Sequence, residues 1–126
     1  IDAAAYVIDW LPNMNAAAVT EKCVPLVKQL RAARPETPII LVEDRRNTDS
    51  WIKASLRQHH DENHAALKAA YEQLVKEGVK GLSYVPGDHL YGDDSDGATD
   101  GSHASDLGFH RQADIFEPFL KAALGR

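Results

Sequence analysis

A three-layer α/β/α domain built on a parallel sheet is the fold class this sequence predicts, and three observations predict it. Short apolar, β-prone runs recur at Ala5 to Ile8, Pro38 to Val42 and Gly81 to Val85. Segments with helical periodicity separate them, and every run ends in a polar or turn-forming loop. Strands that alternate with amphipathic helices pair in parallel through right-handed crossovers, which lay the helices on the faces of the sheet.

Ala5-Tyr6-Val7-Ile8 reads as a buried strand that feeds a loop, since Pro12 and Asn13 of Asp9-Trp10-Leu11-Pro12-Asn13 stop it. From Val19 onward, Cys23, Leu26, Val27, Leu30 and Ala33 fall at helical spacing, and Pro35 closes that element. Pro38-Ile39-Ile40-Leu41-Val42 is too short for a helix and apolar on both faces, as a covered parallel strand is. A long helix is expected from about Ser50 to Glu77, with Leu67, Ala70, Tyr71, Leu74 and Val75 facing inward and Gly78 at its C-terminal stop. The third strand, Gly81 to Val85, leads into a loop from Pro86 to Ser105 that is rich in glycine and aspartate and has no apolar period. A last helix puts Phe116, Phe119, Leu120 and Ala123 on one face. No internal repeat or linker divides the chain, so residues 1–126 form part or all of one domain.

Composition narrows the function classes. The chain is 44% hydrophobic and 26% charged, as ordinary globular proteins are, and no apolar run approaches the roughly 20 residues of a membrane-spanning helix. A net charge of -5, with no basic cluster beyond Arg45-Arg46, gives no electrostatic reason for a nucleic-acid partner. Cys23 is the one cysteine, so no internal disulfide forms, and its place on a predicted apolar helix face reads as a buried thiol. Secreted, periplasmic and cytoplasmic locations all remain open.

In open parallel sheets ligands bind beyond the C-terminal ends of the strands, which points to the loops after Ile8, Val42 and Val85. The last of these carries Asp100-Gly101-Ser102-His103-Ala104-Ser105-Asp106-Leu107-Gly108, a carboxylate three residues before an imidazole. Hydrolysis by a serine nucleophile needs a base that titrates near neutrality and a carboxylate that orients it, and one Asp-x-x-His turn supplies both. That spacing alone is common, and a solvated loop histidine beside an aspartate is its plain reading.

With Ser105 and Gly108 following and the last helix beginning, this stretch resembles the final sequence block of SGNH (GDSL-type) hydrolases. The resemblance implies a flavodoxin-like α/β/α fold, with His103 as general base and Asp100 as its orienting partner. It also implies an asparagine donor to the oxyanion after a middle strand, the place held here by Asn13. The family's Gly-x-Asn-Asp pattern reads Asp9-Trp10-Leu11-Pro12-Asn13 in this chain, so a capping or turn-forming role for Asn13 stays open. The family's nucleophile lies in a Gly-Asp-Ser block after the first strand, and no such block precedes Ala5. Gly92-Asp93-Asp94-Ser95 mimics it in composition but sits in a loop five residues before Asp100.

The resemblance therefore implies the C-terminal portion of a single SGNH domain, incomplete at the N-terminus, with the missing N-terminal segment as its partner. The complete enzyme is then expected to cleave carboxylic esters without a cofactor, acetylated carbohydrates being the first substrates to consider, while this portion alone is weakly active or inactive. The alternative, from another class, is a noncatalytic ligand-binding or scaffold domain that keeps the fold.

Other candidates carry less. His60 and His64 share a helix face at the spacing of zinc ligands, but the segment lacks His-Glu-x-x-His and a third ligand, so a solvated helix face is expected and no metal. Asp88, Asp93, Asp94, Asp96 and Asp100 lack the regularity of a helix-loop-helix calcium site. Arg45, Arg46 and Trp51 follow the second strand and, with Trp10, are candidates for the pocket rim, against surface ion pairs and core packing as the alternatives.

Overall fold

Side-chain alternation along each strand decides which face packs against which helix. A computed structural model describes residues 1–125. It contains β1 (Tyr6–Ile8), β2 (Ile39–Val42) and β3 (Leu82–Val85), hydrogen-bonded in parallel in the order β1-β2-β3, with Tyr6 opposite Ile39 and Ile39 opposite Leu82. A short 3-10 turn (Leu11–Asn13) precedes α1 (Ala16–Ala33); α2 (Ala54–Lys76) and α3 (Asp106–Ala123) complete the chain.

Odd and even residues of β2 face opposite layers. Ile39 and Leu41 join Val19, Cys23 and Val27 of α1 and Leu67, Ala70 and Leu74 of α2 in one core, against which Tyr6, Ile8, Leu82 and Tyr84 also pack. Ile40, Val42 and Val85 form the second core with Leu90 and Tyr91, covered by Ile115, Phe116, Phe119 and Leu120 of α3. The result is the expected three-layer arrangement, with α1 and α2 on one face and α3 on the other. Two crossovers of the same hand between neighbouring strands put α1 and α2 on the same side.

The elements begin where local chemistry allows. Asn15 caps α1, its Oδ1 accepting the Ala18 N–H at 2.9 Å, and Ser105 caps α3 by accepting the Gly108 N–H at 3.2 Å. Each such cap contributes about 1 kcal/mol. The long helix starts at Ala54 rather than near Ser50, because Asn47 to Lys53 closes into turns, with the Ser50 N–H on the Asn47 carbonyl at 2.9 Å.

Three expectations need correction. Only β2 is buried along its whole length; Val7 of β1 is 42% exposed, since β1 pairs on one side only among the described residues and α3 packs chiefly over β2 and β3. Val75 is exposed rather than inward, one residue past the inner stripe that ends at Leu74. His60 and His64 are buried, not solvated. They belong to one stripe of α2, His60, Asn63, His64, Leu67, Ala70 and Leu74, which is polar in its first half and apolar in its second. The helix runs back from the C-terminal ends of the strands, so its polar half lies beneath the loops and its apolar half against the sheet.

Two loops meet closely at that end. At Gly87 a Cβ would stand 2.1 Å from the Asp44 carbonyl oxygen, so only glycine lets the loop after β3 touch the loop after β2. Gly87→Ala is expected to cost about 1–3 kcal/mol through forced backbone displacement, read as a lower urea midpoint at unchanged slope. Burial pushes the Cys23 thiol up to about 11. The folded protein is therefore expected to resist alkylation at pH 8 and to react at once in urea; rapid native labelling would contradict this packing.

Candidate active site

The loops after β1, β2 and β3 come together around one cleft, and α2 braces two of them. The loop after β1 is pinned by fully buried Leu11, and the Asn63 side-chain amide of α2 donates to the Met14 carbonyl at 3.1 Å, just beyond Asn13. Asn15 takes the helix cap, which leaves the exposed Asn13 side chain without a capping duty.

The loop after β2 begins with two buried acids, Glu43 and Asp44. Glu43 accepts from the Tyr84 hydroxyl and, at 2.8 Å, from the Gly87 N–H. Burial, then the Glu43 carboxylate, pushes the Tyr84 phenol well above its usual range. The His64 ring spans both acids, with Nε2 2.8 Å from the Asp44 carbonyl oxygen and Nδ1 3.3 Å from the Glu43 carboxylate. His60 Nδ1 lies 3.1 Å from Asp44 Oδ2, off the line of a good hydrogen bond. Burial favours the protonated form of Asp44, but His60 and Arg45 outweigh it and hold the carboxyl below its usual range.

The loop after β3 folds into a closed turn. The Thr99 N–H donates to the His103 carbonyl at 2.9 Å, and the Gly101 carbonyl accepts the Thr48 N–H at 2.9 Å. Gly101 has φ +88, and a Cβ there would press on the Asp49 carboxylate at 3.0 Å. Within the turn, Asp100 Oδ1 accepts the Ser102 N–H at 2.9 Å and the His103 N–H at 2.8 Å, while Oδ2 faces His103 Nδ1 at 2.8 Å. The His103 N–H, the imidazole and the Ser102 N–H together hold the Asp100 carboxyl far below the usual range. A carboxylate on Nδ1 fixes the proton there and leaves Nε2 as the basic nitrogen. That nitrogen has no hydrogen-bond partner among the described residues, and the side chain is 81% exposed.

His103 and Asn13 line one open cleft of about 560 Å³, together with Asp9, Arg45, Tyr91 and Ser102 and, from α3, Phe109 and Gln112. All three loops thus reach one concavity. Partial burial and the Asp44 charge push the Asp9 carboxyl up, against the pull of Arg45. Arg45 does more than line a rim, since its Nε donates to the Ser102 carbonyl at 3.0 Å and its other nitrogens bond Ser102 Oγ and Asp44. Arg46 points elsewhere, paired with Asp61 at 2.8 Å and Asp88 at 2.6 Å beside a second cavity of about 180 Å³ that Trp51 and Ser95 also line. Trp10 packs against the α1/α2 core and does not line the cleft, because the 3-10 turn that follows carries Pro12 and Asn13 outward instead. Ser95 donates to the Thr48 carbonyl at 3.0 Å, away from His103.

The loop acids are spent on separate partners. Asp94 grips Arg111 with both oxygens, Asp93 meets His89, and Asp100 meets His103. Among the described residues no three metal-ligating side chains converge, and His60 and His64 each face carboxylates.

The family model for the GDSL-like lipase/acylhydrolase family matches residues 1–121. The chain belongs to that family. A solved structure from Bacteroides ovatus ATCC 8483, provisionally described as a GDSL-like lipase, superposes on this GDSL-family chain with a TM-score of 0.94 at 31% identity. The match covers 99% of this chain and 37% of that one, so the chain spans well under half the length of that relative. No curated protein matches it.

Sequence reasoning missed the polar half of the α2 stripe, the anchoring of Ser102 by Arg45, and the cleft positions of Asp9, Tyr91, Phe109 and Gln112. Stepping upstream from Leu67 at helical intervals reaches His64, Asn63 and His60, a signal the apolar search passed over.

Because the Asp100 carboxyl is depressed, the bonds it accepts are fully present above the ordinary carboxylate range near pH ~4 and are lost only as pH falls through its lower folded value. The Asp100 carboxyl ¹³C resonance is therefore expected to keep its ionised position as pH falls from about 5 to about 3, a range over which an ordinary carboxylate moves. A half-way shift near pH ~4 would contradict the assignment, and at constant pH Asp100→Asn should move the Ser102 and His103 amide resonances.

Proposed function

We propose that this chain supplies the acid–base pair and an oxyanion donor of an SGNH-type serine esterase that cleaves carboxylic esters. The observation that carries the reading is the oriented Asp100–His103 pair, whose imidazole has no partner on Nε2 among the described residues and lines one cleft with Asn13.

In this reading a serine hydroxyl gives its proton to His103 Nε2 as its oxygen attacks the ester carbonyl. The Asn13 amide donates to the oxyanion, His103 returns the proton to the departing alcohol, and water then releases the acyl group by the same route in reverse. Asp100 keeps the imidazole in the needed tautomer and stabilises its charged form. The serine comes from a Gly-Asp-Ser block on a segment that precedes Ile1 in the complete domain, or from another chain, and without it these residues are weakly active or inactive. The cleft mixes Asp9, Arg45, Tyr91 and Gln112 with a single exposed aromatic, Phe109, which suits a polar substrate better than a long acyl chain. Acetylated sugars are the substrate class to test first, and no cofactor is required. A noncatalytic domain that holds an ester or sugar in the same cleft is the second reading, favoured by the lack of any serine partner on His103 among the described residues.

The test is the intact denatured mass of the protein from its natural source, before and after a fluorophosphonate that labels activated serines. A larger chain, or a second fragment, that takes up the label is the expected result, with labelling abolished by His103→Ala. Asn13→Ala is expected to lower kcat about 10²- to 10³-fold, as loss of one oxyanion donor does. A single unlabelled species of 13.9 kDa would overturn the esterase reading in favour of the binding domain.

A further inference from the structure

We propose that Arg45 is the positioning residue of His103, held in place by the buried Asp44 and His60; this rests on the reading of His103 as the base.

The imidazole itself has one side-chain partner, Asp100, and both residues are exposed. With 81% of its side chain exposed, the ring takes its direction chiefly from the backbone that carries it. That backbone is held at Ser102, the residue between the acid and the base. The Ser102 N–H donates to Asp100 Oδ1 within the turn, whereas its carbonyl and hydroxyl oxygens both accept from Arg45. The two contacts run between positions 57 residues apart and, with the Thr48–Gly101 bond, tie the turn to the loop after β2.

Arg45 lines the cleft and could be taken for a substrate-binding cation, but each of its three nitrogens already donates to a neighbouring side chain or carbonyl. Nε and Nη2 serve Ser102, and Nη1 serves Asp44. Its side chain is 12% exposed, and the planar fork matches two acceptors on one residue in a way a flexible ammonium does not. Asp44, 1% exposed, holds the fork from behind and is faced in turn by His60, 2% exposed, on α2. A line of contacts therefore runs from the helix through His60, Asp44 and Arg45 to Ser102 and the base.

Arg45→Lys isolates this role, because it leaves a positive charge opposite Asp44 while losing the fork that spans the two Ser102 oxygens. In this chain without substrate, the variant is expected to speed amide exchange at Ser102 and His103 about tenfold or more, with exchange in α2 from Leu67 to Leu74 unchanged. The ¹⁵N shifts of the His103 ring should move from a fixed Nδ1–H tautomer toward a mixture. Ser102→Ala removes only the hydroxyl arm, and a smaller change in the same direction is expected. A folded Arg45→Lys with parental exchange and ring shifts would overturn the proposal, as would an unchanged Ser102→Ala should the lysine variant fail to fold. These readouts need no ester: label uptake with an unmoved His103 sinks the Arg45 proposal alone, and a moved His103 without label uptake sinks the esterase reading alone.

Discussion

A carboxylate shut away from water must be met on every side, and the cleft end of this domain is arranged around that requirement at Asp44. Leaving such a group without its partner costs about 3–5 kcal/mol, a large share of the stability of a small domain. Arg45 approaches it from the cleft and His60 from the helix, while its backbone carbonyl is bonded by His64 and pressed by Gly87. The groups that meet Asp44 come from its own loop, from α2 and from the loop after β3. Meeting the electrostatic demand of one side chain thereby brings the loop after β2, the loop after β3 and the start of α2 into register.

The second acid repeats the device on a smaller scale. Glu43 receives the Tyr84 hydroxyl from β3 and the Gly87 N–H from the loop beyond it, so the end of β3 is fastened to the end of β2 past the last ladder bond. The exposed pair Asp100 and His103 needs no such shielding, and its geometry comes from a turn in which one carboxylate accepts two backbone N–H groups. Rigidity is thus supplied from below, and the imidazole is left facing solvent.

Much of the fold was legible because its signals are local. Three short apolar runs, the Pro35 that closes the first helix and the Gly78 that follows the second each act within a few residues, and the strands and helices follow them closely. The Asp-x-x-His pair was legible for the same reason, since both groups lie on one turn. What escaped was long-range and polar. His60 and His64 looked like a wet helix face because histidine is read as surface unless something charged is known to wait opposite, and Glu43 and Asp44 are supplied by a strand end far away in sequence. Trp10 looked like a rim residue by proximity to Asn13, although a single 3-10 turn separates their directions. Val7 followed its strand pattern but not its expected burial, which depends on what lies beside and over β1.

The stripe of α2 that changes from polar to apolar has a further consequence, for the order in which the domain gains its parts. Loop closures over tens of residues are entropically costly and form after local structure has made them worthwhile. The contacts of His60, Asn63 and His64 require α2 to be seated on the sheet, and those of Arg45 and Thr48 with the Asp100–His103 turn require β3 to have returned beside β2. The apolar half of the stripe can dock as soon as the sheet exists, whereas the polar half has partners only once the loops have arrived. Folding and site assembly are therefore sequential events on one helix, and fraying of its first turns would disarm the cleft while the sheet and both cores remain intact.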